Sequence, residues 1–432
     1  MQIPELYKIF QQHPFVETDT RNLKKGDIFF ALKGPNFNAN HFALQAIANG
    51  AVYAIVDEEI IEANERIIKV DDVLNTLQAL AIYHRKQLLL NNAEKNIPFI
   101  AITGSNGKTT SKELLYAVLS TVYKTYATEG NLNNHIGIPL TILKIKNDVD
   151  IAIIEMGANH LKEIEGYCKY ALPTHGIITN CGKAHLEGFG GIEGIRKGKG
   201  ELFDYLREQD GTAFIMNDYE YLVKMSTGIK HVITYGTQNA SVTGCIKQST
   251  NLLEVSIENS KTLQLIKTNL IGEYNLPNIL LAVTVGRYFN VPDEKIKEAL
   301  ESYMPINSRS QLIIKDSNRI ILDAYNANPS SMKAAIENFA KMDGAEKILF
   351  LGSMKELGPE SEEEHQSLIN LIKKYNWKQV ILVGNEFKNT VHPFILFQIS
   401  EEASRWFKKQ QVKNSTILIK GSRNTKMEKV LD

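Results

Sequence analysis

A glycine-containing loop between a buried strand and a helix is the feature that most constrains the fold of this chain. The apolar run 98–102 has the pattern of a buried strand, and the loop 103–110 after it reads Thr-Gly-Ser-Asn-Gly-Lys-Thr-Thr. Glycines let a backbone wrap around phosphate oxygens, and the first N–H groups of a helix face such an anion. The standard loop has a further glycine where this chain has Ile102, so the match is to a shorter variant. The sequence predicts a phosphate-binding loop, and a glycine turn that only caps the helix is the alternative.

This loop and one strand-end carboxylate have predicted roles in binding a nucleotide. We expect Lys108 to reach the β- and γ-phosphates of ATP and the Thr109 hydroxyl to bind Mg²⁺. Glu155 ends the apolar run 151–154, where a carboxylate points into the crevice in which parallel sheets bind ligands, and it is a natural Mg²⁺ ligand. A solvated glutamate at a strand end is the alternative. The predicted ATP-binding residues of the loop are Gly104, Ser105, Asn106, Gly107, Lys108, Thr109 and Thr110.

Short β-branched runs alternate with helix-length amphipathic segments along the chain, which indicates an α/β fold with mostly parallel sheets. Three blocks can be separated, at 1–90, 91–304 and 305–432, with a polar linker at 91–96. We expect antiparallel strands between 241 and 270 and a small doubly wound sheet in the third block, after a hairpin. The predicted strands are 27–32, 51–56, 66–70, 98–102, 151–154, 175–179, 213–216, 311–315, 319–322, 347–351, 379–383 and 416–420, and the predicted helices include 73–90, 276–288 and 293–303.

Composition restricts the class of protein. The 432 residues carry 49 Lys and Arg against 49 Asp and Glu, and this neutral balance argues against a general nucleic-acid binder. The N-terminus lacks the pattern of a signal peptide, and no run approaches the ~18 apolar residues of a membrane helix. The odd set of three cysteines fits no zinc or redox spacing and argues against a disulfide framework. A cytoplasmic protein in a reducing compartment, with no nucleic-acid or membrane partner, is expected.

Three further segments carry polar side chains that could take part in chemistry. His185 follows the strand 175–179, but a lone histidine is more often structural than catalytic. Lys199 lies in 196–203, which alone has the pattern of a basic, solvated stretch. The stretch 323–332, Asp-Ala-Tyr-Asn-Ala-Asn-Pro-Ser-Ser-Met, ends a strand and begins a helix. Asn328 or Ser330 could cap that helix, or the polar residues could form a hydrogen-bonding ligand loop.

Together these residues resemble the Mur ligase family, the ATP-dependent enzymes that form amide bonds in peptidoglycan synthesis. The most specific marker is the stretch 323–332, and the shortened phosphate loop is itself the form found in the family. Further markers are the segments 131–139, 155–158 and 420–423. The resemblance spans nearly the whole chain. It implies a three-domain architecture with a central parallel-sheet P-loop ATPase domain and a Rossmann-like C-terminal domain.

The resemblance also implies roles for individual residues. The first block would bind a uridine nucleotide, and the second would bind ATP with two Mg²⁺ ions. Lys199 aligns with the lysine that the family carbamylates; an ammonium cannot ligate a cation, but CO₂ added to the neutral amine makes a carboxylate that can. The implied catalytic residues are Lys108, Glu155, His185 and Lys199, and the implied metal ligands are Thr109, Glu155, His185 and Lys199. The implied nucleotide contacts outside the loop are Asn275, Asn278, Arg309 and Asp323, and the implied substrate contacts are Thr20, Arg21, Asn134, Asn326 and Asn328.

Within the family, the stretch 323–332 favours the reaction that joins D-alanyl-D-alanine to UDP-N-acetylmuramoyl-tripeptide through an acyl phosphate. Those two molecules are the expected partners of a monomeric enzyme, and the third residue of the tripeptide, lysine or diaminopimelate, stays open. The rivals are the ligase that adds the third amino acid, a folylpolyglutamate synthase, a non-catalytic nucleotide-binding scaffold and a general P-loop ATPase. Three positions depart from the family pattern: Ser353 replaces an aspartate, and Asn38 and Asn40 replace an aspartate and a histidine.

Overall fold

The computed structural model describes residues 1–61, 64–91, 97–306, 308–344 and 346–432. The fold is α/β, and the chain divides into two compact units. Unit 1 comprises Met1–Ile102, Tyr123–Gly157 and Lys162–Gly176, and unit 2 comprises Thr103–Val122, Ala158–Leu161 and Ile177–Asp432. The predicted boundaries of the three blocks remain a prediction. Asn91, the first residue of the expected linker, ends a helix, and 92–96 lie outside the described residues.

Most predicted strands form within one or two residues of their expected ends. The strands are β1 (Val16–Glu17), β2 (Ile28–Phe30), β3 (Lys33–Gly34), β4 (Phe37–Asn38), β5 (Tyr53–Val56), β6 (Ile67–Lys69), β7 (Phe99–Thr103), β8 (Thr125–Ala127), β9 (Ile151–Glu155), β10 (His175–Ile178), β11 (Thr212–Met216), β12 (His231–Gly236), β13 (Val242–Gln248), β14 (Glu254–Ile257), β15 (Ile266–Lys267), β16 (Gln311–Lys315), β17 (Asn318–Asp323), β18 (Ile348–Gly352), β19 (Gln379–Val383), β20 (Ile395–Phe397) and β21 (Thr416–Lys420).

The helices alternate with these strands, as the sequence pattern predicts. They are α1 (Ile3–Gln12), α2 (Ala43–Ala48), α3 (Val73–Asn91), α4 (Lys108–Leu119), α5 (Gly137–Leu143), α6 (Glu163–Ala171), α7 (Leu186–Phe189), α8 (Ile192–Glu208), α9 (Glu220–Met225), α10 (Leu276–Tyr288), α11 (Asp293–Ser302), α12 (Pro329–Lys341), α13 (Ser361–Ile372) and α14 (Ser400–Gln410). Within the described ranges, no helix is both long enough and apolar enough to cross a membrane.

Unit 1 contains a four-stranded parallel sheet in the order β1-β2-β5-β6. All three residues of β2 are fully buried, as expected for a parallel strand that is covered on both faces. The same unit contains β8, β9 and β7 as neighbouring parallel strands, with Ile102 opposite Glu155 in register. The carboxyl ends of β7 and β9 therefore lie side by side.

Unit 2 contains the helix that follows the phosphate loop, and α4 packs there against α10 and α11. β11 and β12 pair in parallel, whereas β13, β14 and β15 pair antiparallel. The antiparallel strands expected between residues 241 and 270 are thus confirmed.

The last sheet of unit 2 has the order β16-β17-β21-β18-β19-β20, and only β16 is antiparallel to its neighbour. The expected hairpin and the doubly wound sheet are both present. Its core is formed by apolar residues such as Ile320, Phe350 and Ile419. Because neighbouring parallel strands end at the same edge, Asp323 lies opposite Lys420 in register. This edge carries the polar stretch 323–332.

Candidate functional site

The phosphate loop is held by the segment that follows β10. Ser105 N donates to Asn180 O at 2.8 Å, and Ser105 Oγ donates to Gly182 O at 2.6 Å. Thr179 Oγ1 and Asn180 Nδ2 both donate to Asn106 O, at 2.6 and 3.0 Å. These bonds fix the loop between β7 and α4. Lys108 is the first residue of α4, and its ammonium donates to Gly104 O at 2.6 Å.

Two glycines of the loop stand where a side chain would be both crowded and strained. Gly104 has φ +136°, and a Cβ there would lie 2.0 Å from Thr179 Oγ1. Gly107 has φ +83°, and a Cβ there would lie 2.8 Å from Asn278 Oδ1. Both φ values are ones that glycine adopts without steric cost. The loop therefore has the cradle form, at the N-terminus of a helix, that suits a phosphate group.

Asn275 and Asn278, which the resemblance implies as nucleotide contacts, are buried beside this loop. Ser111 Oγ, on α4, donates to Asn278 Oδ1 at 3.0 Å, and Asn278 Nδ2 donates to Asn275 Oδ1 at 2.9 Å. Asn275 Nδ2 in turn donates to Ile271 O at 2.8 Å. The two amides thus join the start of α10 to the helix of the phosphate loop. Thr109 is also buried on that helix, and Thr110 is half-buried.

The stretch 323–332 meets the phosphate loop directly. Asn328 Oδ1 accepts from Ser331 N at 2.9 Å, so Asn328 is the cap of α12. The amide of the same residue donates to Asn106 Oδ1 at 2.8 Å. Ser330 is not the cap; its Oγ accepts from Lys183 N at 2.8 Å. The sequence left two predictions open for this stretch, a helix cap and a loop of hydrogen-bonding groups. Asn328 does both.

Other predicted residues of this stretch form a charged cluster at the sheet edge. Lys420 Nζ lies 2.5 Å from Asp323 Oδ2 and 3.4 Å from Asn326 O. Asp323 Oδ1 accepts from Ser310 N at 3.2 Å. The Arg309 guanidinium lies 3.6 Å from the centre of the Tyr325 ring, which is a cation–π contact.

His185 meets an acidic residue of the loop 353–358, which joins β18 to the segment before α13. Its Nδ1 contacts Glu356 Oε2. The pKa of the Glu356 carboxyl is lowered by its close contact with the His185 side chain, an effect that outweighs partial burial. Nearby, Lys183 Nζ pairs with Glu364 of α13 at 2.5 Å. These two contacts therefore join the segment 183–185 to the C-terminal sheet and its helices.

Lys199 lies on α8 and is buried, with a relative exposure of 1%. Its Nζ donates to Ala158 O at 2.8 Å and lies 4.9 Å from the centre of the Phe189 ring. Burial raises the pKa of the Cys181 thiol to about 12, and the charges of Lys199 and Arg196 oppose that shift. The interpretation of this lysine as part of a solvated stretch is therefore wrong for Lys199. All three cysteines are free.

The remaining predicted site residues belong to unit 1. Glu155 is buried, and its Oε1 accepts from Asn133 Nδ2 at 2.8 Å. Asn134 Oδ1 accepts from Ile136 N and Gly137 N at the start of α5. Arg21 is exposed and pairs with Asp19, which lowers the pKa of the Asp19 carboxyl to about 2. Thr20 lies between them in a half-buried turn.

The three departures from the family pattern have structural settings of their own. Asn38 Nδ2 donates to both carboxylate oxygens of Glu58 at 3.0 Å. Asn40 Nδ2 donates to Asp57 Oδ1, and Asn40 Oδ1 accepts from Asp57 N. Both asparagines thus hold the segment after β5. Ser353 is fully buried, and its backbone N donates to Val383 O at 2.8 Å.

The residues of the loop fit a nucleotide, and the donor types of the predicted metal ligands are ones that suit Mg²⁺. The glycine cradle, the lysine at the helix start and the buried hydroxyl of Thr109 suit a triphosphate. Hydroxyl and carboxylate oxygens, with an imidazole, are donors that a divalent cation accepts. Among the described residues, no group of three or more His, Cys, Asp or Glu side chains is placed to hold a metal ion.

Sequence reasoning missed several residues that organise this site. Thr179 and Asn180 fasten the phosphate loop, Asn133 holds Glu155, and Glu356 faces His185. Asn133 lies in the segment 131–139, which carries the family resemblance, and Glu356 lies three residues after the departure at Ser353, but neither residue was assigned a role. Amide and carboxylate side chains are common on protein surfaces, so the residue type alone does not single out these positions. Only the fold shows what they contact.

The site and fold define an α/β enzyme that binds a nucleotide through a shortened phosphate loop. Residues 13–85 match the description "Mur ligase family, catalytic domain", residues 102–286 match "Mur ligase middle domain", and residues 308–423 match "Mur ligase, glutamate ligase domain". The UDP-N-acetylmuramoyl-tripeptide–D-alanyl-D-alanine ligase of Bacillus subtilis is 33% identical over 432 residues, which cover 96% of this chain and 92% of that protein.

Solved structures agree with this likeness. A crystal structure of MurF from Acinetobacter baumannii has a TM-score of 0.86 and 31% identity, covering 96% of this chain and 92% of that one. The MurF ligase of Thermotoga maritima in complex with ADP has a TM-score of 0.84 and 27% identity, covering 96% of each chain. The chain belongs to the Mur ligase family. It has the predicted three-domain architecture of that family and is an ATP-dependent ligase that forms amide bonds in peptidoglycan synthesis.

Proposed function

We propose that this enzyme joins the amine of D-alanyl-D-alanine to the terminal carboxylate of UDP-N-acetylmuramoyl-tripeptide. The observation that carries the proposal is the contact between the stretch 323–332 and the phosphate loop, made by Asn328 and Asn106 at 2.8 Å. The stretch 323–332 is the sequence marker for D-alanyl-D-alanine as the acceptor, and this contact puts it next to the phosphate loop. Relatives that match over nearly the whole length carry the name of this ligase.

The reaction begins with phosphoryl transfer. ATP binds at Gly104–Thr110 with Asn275, Asn278, Arg309 and Asp323 as further contacts, and a carboxylate oxygen of the tripeptide attacks the γ-phosphorus. The bond from that phosphorus to the bridging oxygen breaks, so ADP leaves and an acyl phosphate forms. Lys108, at the start of α4, offsets the charge that gathers where carboxylate and triphosphate meet. Thr109, Glu155, His185 and a carbamylated Lys199 would hold two Mg²⁺ ions, which supply further neutralisation of that charge when bound.

Amide formation follows at the acyl carbon. The neutral amine of D-alanyl-D-alanine attacks, the C–N bond forms, the C–O bond to phosphate breaks, and the amine proton is lost to solvent. Asn326 and Asn328 would line the side on which the dipeptide enters, and Thr20, Arg21 and Asn134 would contact the uridine-linked substrate. The contacts of Asn328 and Ser330 with residues 106 and 183 close the loop 323–332 over the nucleotide side. Such closure excludes water, which would otherwise hydrolyse the acyl phosphate.

The carbamylation of Lys199 belongs to this proposal. The side chain is buried at 1% exposure, and its amine contacts a backbone carbonyl and an aromatic ring. CO₂ reacts with the neutral form of a lysine amine and not with the ammonium. The product would be a carboxylate at the end of a long, fixed side chain. We also place the enzyme in the cytoplasm as a monomer, without nucleic-acid or membrane partners.

Phosphate release from ATP tests the proposal. The assay contains Mg²⁺ and D-alanyl-D-alanine, with UDP-N-acetylmuramoyl-tripeptide in its lysine and diaminopimelate forms in separate reactions. We expect release that requires both the dipeptide and one tripeptide, and the preferred form identifies the third residue. A Lys108→Ala variant should show no release under the same conditions. Release that depends on a single amino acid instead of the dipeptide would contradict the proposal and favour a sister ligase, and no release at all would favour a non-catalytic scaffold.

A further inference from the structure

The contact between His185 and Glu356 joins two parts of the chain that are far apart in sequence. His185 lies just before α7, in the segment after β10, and Glu356 lies in the loop 353–358 of the C-terminal sheet. Backbone groups reinforce the contact, because Glu187 N donates to Glu356 O at 3.4 Å. A Cβ on Gly358 would lie 3.1 Å from Glu187 Cβ. The loop is therefore seated closely on the His185 segment.

Both members of the pair have left-handed backbone conformations. His185 has φ 55° and ψ 41°, and Glu356 has φ 61°. Residues other than glycine adopt this region at a cost, and such conformations persist only where the surrounding structure determines them. They are concentrated at functional sites. Two such residues that face each other indicate that the contact is specified by the fold.

The loop that carries Glu356 is fixed at several points. Ser353 N donates to Val383 O at 2.8 Å, and Met354 N donates to His365 Nε2 at 3.1 Å. Lys355 forms an ion pair with Glu386. His365 is itself fully buried, and its Nδ1 donates to Ser361 O at 2.6 Å. The Glu356 side chain is therefore presented to His185 from an anchored backbone.

We propose that Glu356 is a positioning residue that fixes the ring orientation and tautomer of His185. Glu356 Oε2 contacts Nδ1, so a His185 that binds a cation through Nε2 keeps its proton on Nδ1, where the carboxylate can accept it. The lone pair is then on Nε2, which is the nitrogen left to bind a cation. A carboxylate that holds the second nitrogen of a ligating histidine typically raises metal affinity 10- to 100-fold. This inference rests on the proposed role of His185 as a Mg²⁺ ligand.

The arrangement also ties the cation site to the position of the loop 353–358. Glu356 reaches His185 only when this loop is seated on the segment 185–187. Lys183 and Glu364 form an ion pair between the same two parts, and it does not involve His185. The chain thus provides a matched control: both pairs hold the C-terminal elements in place, but only one of them orients the histidine.

Binding of Mn²⁺ in the presence of the imido analogue of ATP, followed by electron paramagnetic resonance, tests the proposal without turnover. We expect two bound ions in the wild-type enzyme and a 10- to 100-fold weaker second ion in Glu356→Ala. Glu356→Gln should stay within about fivefold of the wild type, because its amide oxygen still accepts from Nδ1. Glu364→Ala should leave the affinity of both ions unchanged. Thermal denaturation of each variant verifies that it is folded.

Three results would overturn the inference. Unchanged Mn²⁺ affinity in Glu356→Ala, while His185→Ala loses the second ion, would remove the positioning role and leave the metal role of His185 intact. Equal weakening in Glu356→Ala and Glu364→Ala would show that only the seating of the C-terminal elements matters. Unchanged Mn²⁺ affinity in His185→Ala would overturn both this inference and the proposed metal role of His185.

Discussion

Asn328 donates a hydrogen bond of 2.8 Å to Asn106 Oδ1, so the stretch 323–332 touches the loop that is built to hold phosphate. The same side chain caps α12 through Ser331 N. The Asn328 side chain therefore both stabilises the start of α12 and holds the stretch 323–332 against the phosphate loop. These two roles can be separated by mutation, because Ser331 takes part in the cap but has no bond to Asn106.

We expect Asn328→Ala to lower kcat for amide formation by about tenfold or more, because the stretch is no longer tied to the phosphate loop. Ser331→Ala removes the reciprocal bond from Asn328 N to Ser331 Oγ, and it should leave kcat near the wild-type value. Each substitution should lower the free energy of unfolding by about 1 kcal/mol, the usual worth of a helix cap. Phosphate release and urea denaturation of both variants measure the two effects. Equal loss of kcat in the two variants would reduce Asn328 to a capping residue.

The glycines of the phosphate loop give a second prediction. Gly104→Ala should abolish ATP binding, because the added methyl would lie 2.0 Å from Thr179 Oγ1. Gly26→Ala is the matched control, since Gly26 also has a positive φ, of +102°, but no atom lies within 4 Å of its Cβ position. Both variants carry backbone strain of the order of 1 kcal/mol, and only Gly104→Ala closes the loop. Fluorescence titration with a labelled ATP analogue distinguishes them, and retained binding in Gly104→Ala would contradict the assigned cradle.

The order of most strands and helices could be predicted from the sequence. Buried parallel strands are continuous apolar runs, so β9, β19 and β21 were predicted almost to the residue. The strands that were not predicted are short or poorly patterned, such as β1, β8 and β20. Two- or three-residue strands carry too little alternation to indicate an extended conformation.

The residues of the candidate site could be predicted from the sequence only where they belong to a local motif with a known chemical role. The phosphate loop has a local pattern, so its residues could be assigned from neighbours in sequence. Glu356 contacts His185, and Asn133 donates a hydrogen bond to Glu155. The two members of each pair are far apart in the sequence, so no local pattern indicates the contact. Lys199 was ambiguous for a related reason. Charged neighbours gave its segment the composition of a surface helix, whereas the helix turns the Lys199 side chain into the interior.

The burial of Lys199 leads to a third prediction. Lys199→Ala should nearly abolish turnover, and small carboxylates or carbamates added to the assay should restore part of it by entering the vacated space. Lys197→Ala, on the exposed side of the same helix, should keep turnover near that of the wild type. Labelling with ¹³C-bicarbonate should give a carbamate signal by NMR in the wild type and in Lys197→Ala, but not in Lys199→Ala. Near-normal turnover of Lys199→Ala would remove this residue from the mechanism.

The imidazole of His175 makes the stability of the enzyme depend on pH. Burial lowers the pKa of this group from its ordinary value near 6.5 to about 4. Between those two values the unfolded chain binds a proton at His175 that the folded protein does not. The free energy of unfolding should therefore fall as the pH is lowered from about 6.5 to about 4, by up to about 3 kcal/mol from this residue. Below about pH 4 both states are protonated here, and this contribution becomes constant.

Urea denaturation of the wild type and of His175→Gln between pH 4 and pH 7 measures the effect. The glutamine cannot be protonated in this range, so the variant should lose stability less steeply as the pH falls, whatever its stability at pH 7. His135→Gln is the matched control, because this histidine is exposed rather than buried. Carboxylates that are ion-paired in the folded state also lower stability in acid, but their contribution is common to all three proteins. If the slopes of the wild type and His175→Gln coincide, the buried imidazole does not set this pH dependence.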